Sequence, residues 1–183
     1  RDLQVFSRIV PYGISADEVA EMAPAGIILS GGPASVYADG APQPDPAIFG
    51  LGIPVLGICY GQQLMVHLLG GKVSPSERKE FGKATLETVQ ETPLFDGMPR
   101  SQQVWMSHGD KVLDLPDGFR VVAHTDNAEC AAIANADGRI VGLQFHPEVV
   151  HTPNGRKIME NFCLRICGCD GTWTMRAFVE RSV

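Results

Sequence analysis

No apolar run in this 183-residue chain approaches the ~20 residues that a membrane span requires, and no basic segment followed by an apolar one opens it in the manner of a secretory signal. Lysine and arginine are too few and too scattered to form a phosphate-binding surface. Fifteen of them stand against 21 aspartates and glutamates, for a net charge of −6, which makes nucleic acid a poor partner. The five cysteines are odd in number and badly spread for a disulfide framework: Cys59 and Cys130 stand alone, while Cys163, Cys167 and Cys169 crowd towards the end. Reduced thiols in a cytoplasmic protein are the expectation. The Cys163-x3-Cys167-x-Cys169 spacing lacks the two separated pairs of thiolate zinc sites, and Cys163 falls on an apolar helical face, so no metal site is expected there. No G-xxxx-G-K-[ST] phosphate loop occurs anywhere. What is present, 44% hydrophobic and 20% charged residues, is a globular composition of one domain's size.

Short apolar runs alternate with amphipathic stretches, the pattern of an α/β domain. Residues 3–10 read as a strand, and 15–22 as a short helix opened by a Ser15 cap. Residues 26–29 and 54–58 are fully apolar and short, as strands buried on both faces are. A Gly/Pro-rich loop, 30–46, separates them. After Cys59 the period becomes helical (Leu64, Met65, Leu68, Leu69) until Gly70 and Gly71 stop it. Strands are expected at 83–89, 102–107, 119–125, 128–135 and 139–145, with turns at Pro116-Asp117-Gly118 and Asp137-Gly138. Thr152 as cap and Pro153 at the first position signal a last helix, with Ile158, Met159, Phe162, Cys163 and Ile166 on its apolar face and Gly168 at its end. Residues 171–183 are helix-like but carry few core residues, as a linker does.

Chemistry concentrates first in Gly57-Ile58-Cys59-Tyr60-Gly61-Gln62-Gln63, between an apolar strand and a helix. A nucleophile on a sharp strand-to-helix turn needs small flanking residues, and the helix N-terminus favours a thiolate. A buried cysteine on a glycine-packed turn accounts for this segment alone equally well. Gln144-Phe145-His146-Pro147-Glu148 then ends another strand. Taken alone it would be a surface turn. Beside the elbow, His146 is placed as the base that a thiol needs and Glu148 as the acceptor that orients the base. The third piece, Ser30-Gly31-Gly32-Pro33, follows a strand and suits close approach of backbone N–H groups to an oxyanion. It is one residue from the SGGxDS phosphate loop of ATP pyrophosphatases, with Ala34 in place of the Asp; the oxyanion reading is preferred.

SGGP, GICYGQQL and QFHPE in this order resemble the class I, triad-type glutamine amidotransferases over essentially the whole chain. Trp105–Asp110, Val150-His151-Thr152 and the block from Cys167 to Met175 are similar to the branch of that family that serves a GMP-forming synthetase. The resemblance implies a three-layer, flavodoxin-like α/β fold with a mixed, mostly parallel central sheet. It also implies that the family's first strand lies upstream of Arg1, beside strand 26–29. Residues 1–167 would be the glutaminase domain and 168–183 the start of a linker to an ATP pyrophosphatase domain of the same enzyme, which could dimerise. The implied substrate is L-glutamine, with Cys59 as nucleophile, His146 as base and Glu148 as its orienter. Backbone N–H groups of Gly32 and Tyr60 would form the oxyanion hole, and Gln63, Ser107, Gly109 and Asp110 would line the glutamine pocket. No cofactor is implied for this step; ATP and Mg²⁺ belong to the synthetase domain, which aminates XMP to GMP. The rival readings are a glutaminase serving anthranilate, aminodeoxychorismate, carbamoyl phosphate or CTP synthesis, and a weakly active docking module. His67 and His124 read as structural; His108 and His151, near the site segments, read as binding or docking residues.

Overall fold

A computed structural model of the chain describes residues 2–174, with the backbone alone for 76–78. Residues 175–183, the bulk of the helix-like stretch and of the expected linker, lie outside the described residues. Local signals set the first elements. Ser15 caps α1 (Ala16–Met22) through a capping box: its hydroxyl accepts from the Glu18 N–H while the Glu18 carboxylate accepts from the Ser15 N–H. Two short apolar runs form β1 (Ile27–Leu29) and β2 (Val55–Ile58), the second buried along its length. α2 (Tyr60–Leu68) follows and stops at Gly70, whose φ of +92° lets the chain turn back so that the Gly71 N–H reaches the Val66 carbonyl.

Five strands come next: β3 (Lys72–Thr88), β4 (Ser101–Asp114), β5 (Phe119–His124), β6 (Ala132–Asn135) and β7 (Ile140–Leu143). They join β1 and β2 in one seven-stranded sheet of order β1-β2-β7-β6-β5-β3-β4. β2 lies parallel to both β1 and β7, in register Leu56↔Ile28 and Leu56↔Val141. The sheet is mixed, as expected, but the parallel character is confined to this half. The four remaining pairings, β3 with β4, β3 with β5, β5 with β6 and β6 with β7, are antiparallel.

Side chains alternate across the sheet and give it two cores. Leu56, Ile58, Val141, Leu143, Ala132 and Ala134 point to one face, where Ile158 and Phe162 cover them. Ile133 points to the other, against Leu64, Met65 and Val66 of α2. Helices on both faces make three layers. The covering element on the first face is α3 (Gly155–Glu160), which continues as a π-helical stretch, Asn161–Ile166, and ends at Gly168, φ +70°. No helix among the described residues is long and apolar enough to cross a membrane.

Three local expectations are corrected. Residues 5–10 are irregular rather than a strand: β1 pairs only with β2 among the described residues, so the segment has no ladder to join, and Ile9 is 98% exposed. The strand expected at 102–107 runs on through 108–114 as β4, paired with β3 across a register shift between Pro75 and Glu80. The last helix begins after Asn154, not Thr152, whose hydroxyl is spent on the chain around His146.

Candidate active site

β2 delivers Cys59 to the edge of α2 in a conformation that side chains rarely adopt, φ +52° and ψ −107°. Its N–H donates to the Leu143 carbonyl at 2.6 Å, and its own carbonyl accepts from the N–H groups of Gln62 and Gln63. The turn is that tight because Gly61 passes directly over Leu29: a Cβ at position 61 would fall on the Leu29 carbonyl, and one at Gly57 would sit 2.7 Å from the Gly61 backbone. The strand–cysteine–helix elbow read from the glycine spacing is thus present, with Cys59 4% exposed.

β7 delivers the second group. Just past its end, the His146 N–H donates to the Trp105 carbonyl at 3.0 Å, which docks the turn onto β4. Nδ1 of His146 donates to the Glu148 carboxylate at 2.6 Å, leaving the other ring nitrogen for Cys59. Hydrogen bonding with the Cys59 side chain, and then with Glu148, pushes the His146 imidazole up to about 10 against the opposing effect of burial. Burial pushes the Glu148 carboxyl up, but hydrogen bonds from His146 and from its own N–H, with the imidazole charge, outweigh it and leave it below its ordinary value. A thiol, an imidazole and a carboxylate in series can move a proton off sulfur and return it to a leaving group.

The Ser30–Pro33 loop crosses this pair. A Cβ on Gly31 would lie 3.1 Å from the His146 ring and 3.7 Å from the Cys59 Cβ, and one on Gly32 would lie 3.7 Å from the Tyr60 ring. The Tyr60 hydroxyl donates to the Pro42 carbonyl at 2.7 Å and ties the loop's far side to the elbow helix. Gly32 and Tyr60 are therefore neighbours beside the thiol.

The remaining predicted residues line the β4 side. The Cys59 thiol donates to the Ser107 carbonyl at 3.5 Å, while the Ser107 side chain is exposed. Gln63 is buried, and its Nε2 donates to the Asp110 carbonyl at 2.9 Å and to Gln144 Oε1 at 3.2 Å. Asp110 Oδ2 is buried with no hydrogen-bond partner among the described residues, whereas Gly109 faces Lys79. His108 is buried between the Asp110 carbonyl and the Glu80 carboxylate, bridging β3 and β4. His151 stacks on Trp105 with ring centroids 4.4 Å apart, His67 meets Tyr37 edge-on, and His124 pairs opposite Glu87 in the sheet.

Two residues at the site escape a motif reading of their roles. Gln144, 1% exposed, points its Nε2 at Cys59 Sγ from 3.8 Å. Thr152, 3% exposed, donates its hydroxyl to the His146 carbonyl at 2.6 Å and accepts from the Trp105 N–H at 3.1 Å. Polarity at the end of an apolar strand is the only signal for the first. A Thr-Pro pair that also fits a helix cap conceals the second. Among the described residues no group of three or more His, Cys, Asp or Glu is arranged to hold a metal ion. Burial instead pushes the Cys167 thiol up to about 12, and Cys167 packs against Gly26.

A family model described as glutamine amidotransferase class-I matches residues 1–166. Over all 183 residues the chain is 54% identical to a GMP synthase (glutamine-hydrolyzing) of Heliobacterium modesticaldum and 50% identical to one of Trichormus variabilis. It covers 36% and 34% of those two proteins, so it spans about a third of the length of the curated relatives it matches. Among solved structures, a Thermoplasma acidophilum protein assigned to GMP synthase is similar with TM-score 0.74 and 28% identity, over 96% of this chain and 83% of that one. A glutamine amidotransferase of Thermotoga maritima shares the fold with TM-score 0.66 and 22% identity, over 79% of each chain.

Proposed function

The chain belongs to the class I glutamine amidotransferase family, and from that premise we propose that it hydrolyses glutamine to glutamate and ammonia through Cys59, His146 and Glu148. One observation carries the reading. The elbow thiol, the imidazole and the carboxylate come together at one place: Gly31 passes beside both the His146 ring and the Cys59 Cβ, and His146 Nδ1 is held by Glu148 at 2.6 Å.

Cys59 attacks the side-chain amide carbon of glutamine as the thiolate, its proton carried by His146 as the imidazolium. The tetrahedral oxyanion forms beside the loop and elbow, where N–H groups of Gly32 and Tyr60 would hold it, a contribution of ~3–4 kcal/mol for one such donor. His146 then gives its proton to the departing ammonia, leaving a glutamyl thioester. Water activated by the same imidazole attacks the thioester, and glutamate leaves with the thiol restored. Glu148 fixes the ring orientation and favours the imidazolium that both steps pass through. The partnerless Asp110 carboxylate oxygen suits the α-ammonium of the substrate, since a buried acceptor costs about 1–3 kcal/mol until a donor meets it. The step uses no cofactor: nucleophile, acid–base group and oxyanion donors all come from the chain.

The ammonia would serve a GMP-forming synthetase that activates XMP with ATP and Mg²⁺. Identities of 50–54% to GMP synthases support this, as does the remaining two thirds of their length, which has room for a synthetase domain. The test is glutamine-dependent GMP formation from XMP and ATP by the full-length protein. GMP should form with glutamine and fail to form with Cys59→Ala unless ammonia is added. Amination only of a chorismate- or carbamate-type acceptor would reject the assignment.

A further inference from the structure

We propose that Gln144 is a catalytic residue, whose side-chain N–H is the donor that holds negative charge on the Cys59 sulfur once the thiol proton has left. The inference rests on Cys59 acting as the nucleophile. The amide orientation follows from a chain of hydrogen bonds. The Asp110 carbonyl can only accept, so the Gln63 atom 2.9 Å from it is the nitrogen. That same nitrogen lies 3.2 Å from the Gln144 side chain, which must therefore present its oxygen to Gln63 and its nitrogen to the 3.8 Å contact with Cys59 Sγ. The Gln144 main chain is fixed as well, since its N–H donates to the Ala131 carbonyl at 2.9 Å.

The Ser107 carbonyl meets the sulfur with the opposite sign. As a thiol, Cys59 donates to the Ser107 carbonyl at 3.5 Å; once the proton has gone to His146, that carbonyl dipole points its negative end at the charge. Gln144 then opposes Ser107. A fully buried amide is costly to keep in a core unless both its ends are used, and here one end is used on Gln63 and the other on the reacting atom. Gln63 is the positioning residue of this pair, acting on sulfur through Gln144 and holding the β4 segment through Asp110.

The experiment is the rate of alkylation of Cys59 by iodoacetamide at neutral pH, followed by peptide mass spectrometry on the full-length protein. Gln144→Glu keeps the volume and the acceptor facing Gln63 but replaces the N–H by oxygen. Gln144→Met keeps the length and removes both polar ends. Each should slow alkylation of Cys59 about tenfold or more, the effect of one hydrogen bond to a charged acceptor, while Cys130 reacts at an unchanged rate. A variant with the wild-type melting curve and the wild-type Cys59 rate overturns the proposal. The wild-type protein gives a reading that needs no variant: the Gln144 side-chain amide resonance shifts when Cys59 is alkylated, and an unmoved resonance overturns the proposal equally. Glutamine hydrolysis is scored separately. Slowed alkylation in a protein inert to glutamine would remove the glutaminase reading and leave this one standing.

Discussion

The hydroxyl of Thr152 lies 2.6 Å from the carbonyl oxygen of His146 and bridges it to the N–H of Trp105 on β4. The His146 N–H returns to the Trp105 carbonyl, so one side-chain oxygen completes a rung that the two backbones do not make alone. Further contacts hold the same segment: Gln103 Nε2 donates to the His151 carbonyl, and Asn154 Nδ2 donates to Gln102 Oε1. His146 is thereby fixed to the strand whose Ser107 carbonyl meets the thiol.

Thr152→Val should leave two part-buried backbone groups without this partner, cost about 1–2 kcal/mol in urea unfolding and lower kcat for glutamine hydrolysis about tenfold. Thr152→Ser should restore both, because it returns the oxygen without the methyl group. A valine variant with wild-type kcat would show that the rung does not position the base.

His146 makes stability depend on alkaline pH. Its folded value is about 10 against an ordinary 6.5, so its contribution is complete below about 6.5 and is lost as pH rises through about 10. Urea midpoints should fall across that window. Cys59→Ala, which removes the largest cause of the shift, should flatten the decline. The two proteins giving parallel pH profiles would contradict the coupling.

Gly61→Ala should destabilise the protein by about 3 kcal/mol, because the new methyl meets the Leu29 carbonyl backbone, which cannot yield without breaking the β1–α2 packing. Gly50→Ala, whose methyl enters open space, should stay within about 0.5 kcal/mol of wild type. Guanidinium denaturation of the pair checks both.

Alkylation should discriminate among the free thiols. Burial, and the Glu129 charge after it, push Cys130 up to about 11, and burial pushes Cys167 up to about 12, so both stay protonated at neutral pH. Cys59, facing the His146 imidazole, should label first; labelling of Cys167 ahead of it would contradict the site geometry.

Elements whose signals are local are legible from the residues. The Ser15 cap, the Gly70 stop and the glycine-flanked elbow each need only their own few neighbours, and each stands where the spacing placed it. Residues 3–10 carry strand-like residues, yet a strand exists only with a partner, and none is present beside it among the described residues. The strand expected at 102–107 extends past Ser107 because the chain beyond it pairs with β3, His108 with Glu80 and Asp110 with Pro75, and no local pattern marks that partner. The proximity of Cys59, His146 and Glu148 is legible because two motifs carry them. Gln144 and Thr152 are not, since their roles are hydrogen bonds across 85 and 6 residues that no local pattern encodes.

The most direct test of the nucleophile assignment is rapid-quench mass spectrometry of the full-length protein during turnover with glutamine. A glutamyl adduct should appear on the Cys59 peptide within the first turnover, decay as glutamine is exhausted, and be absent in Cys59→Ala. Sustained hydrolysis by Cys59→Ala, or an adduct on any other residue, would contradict it.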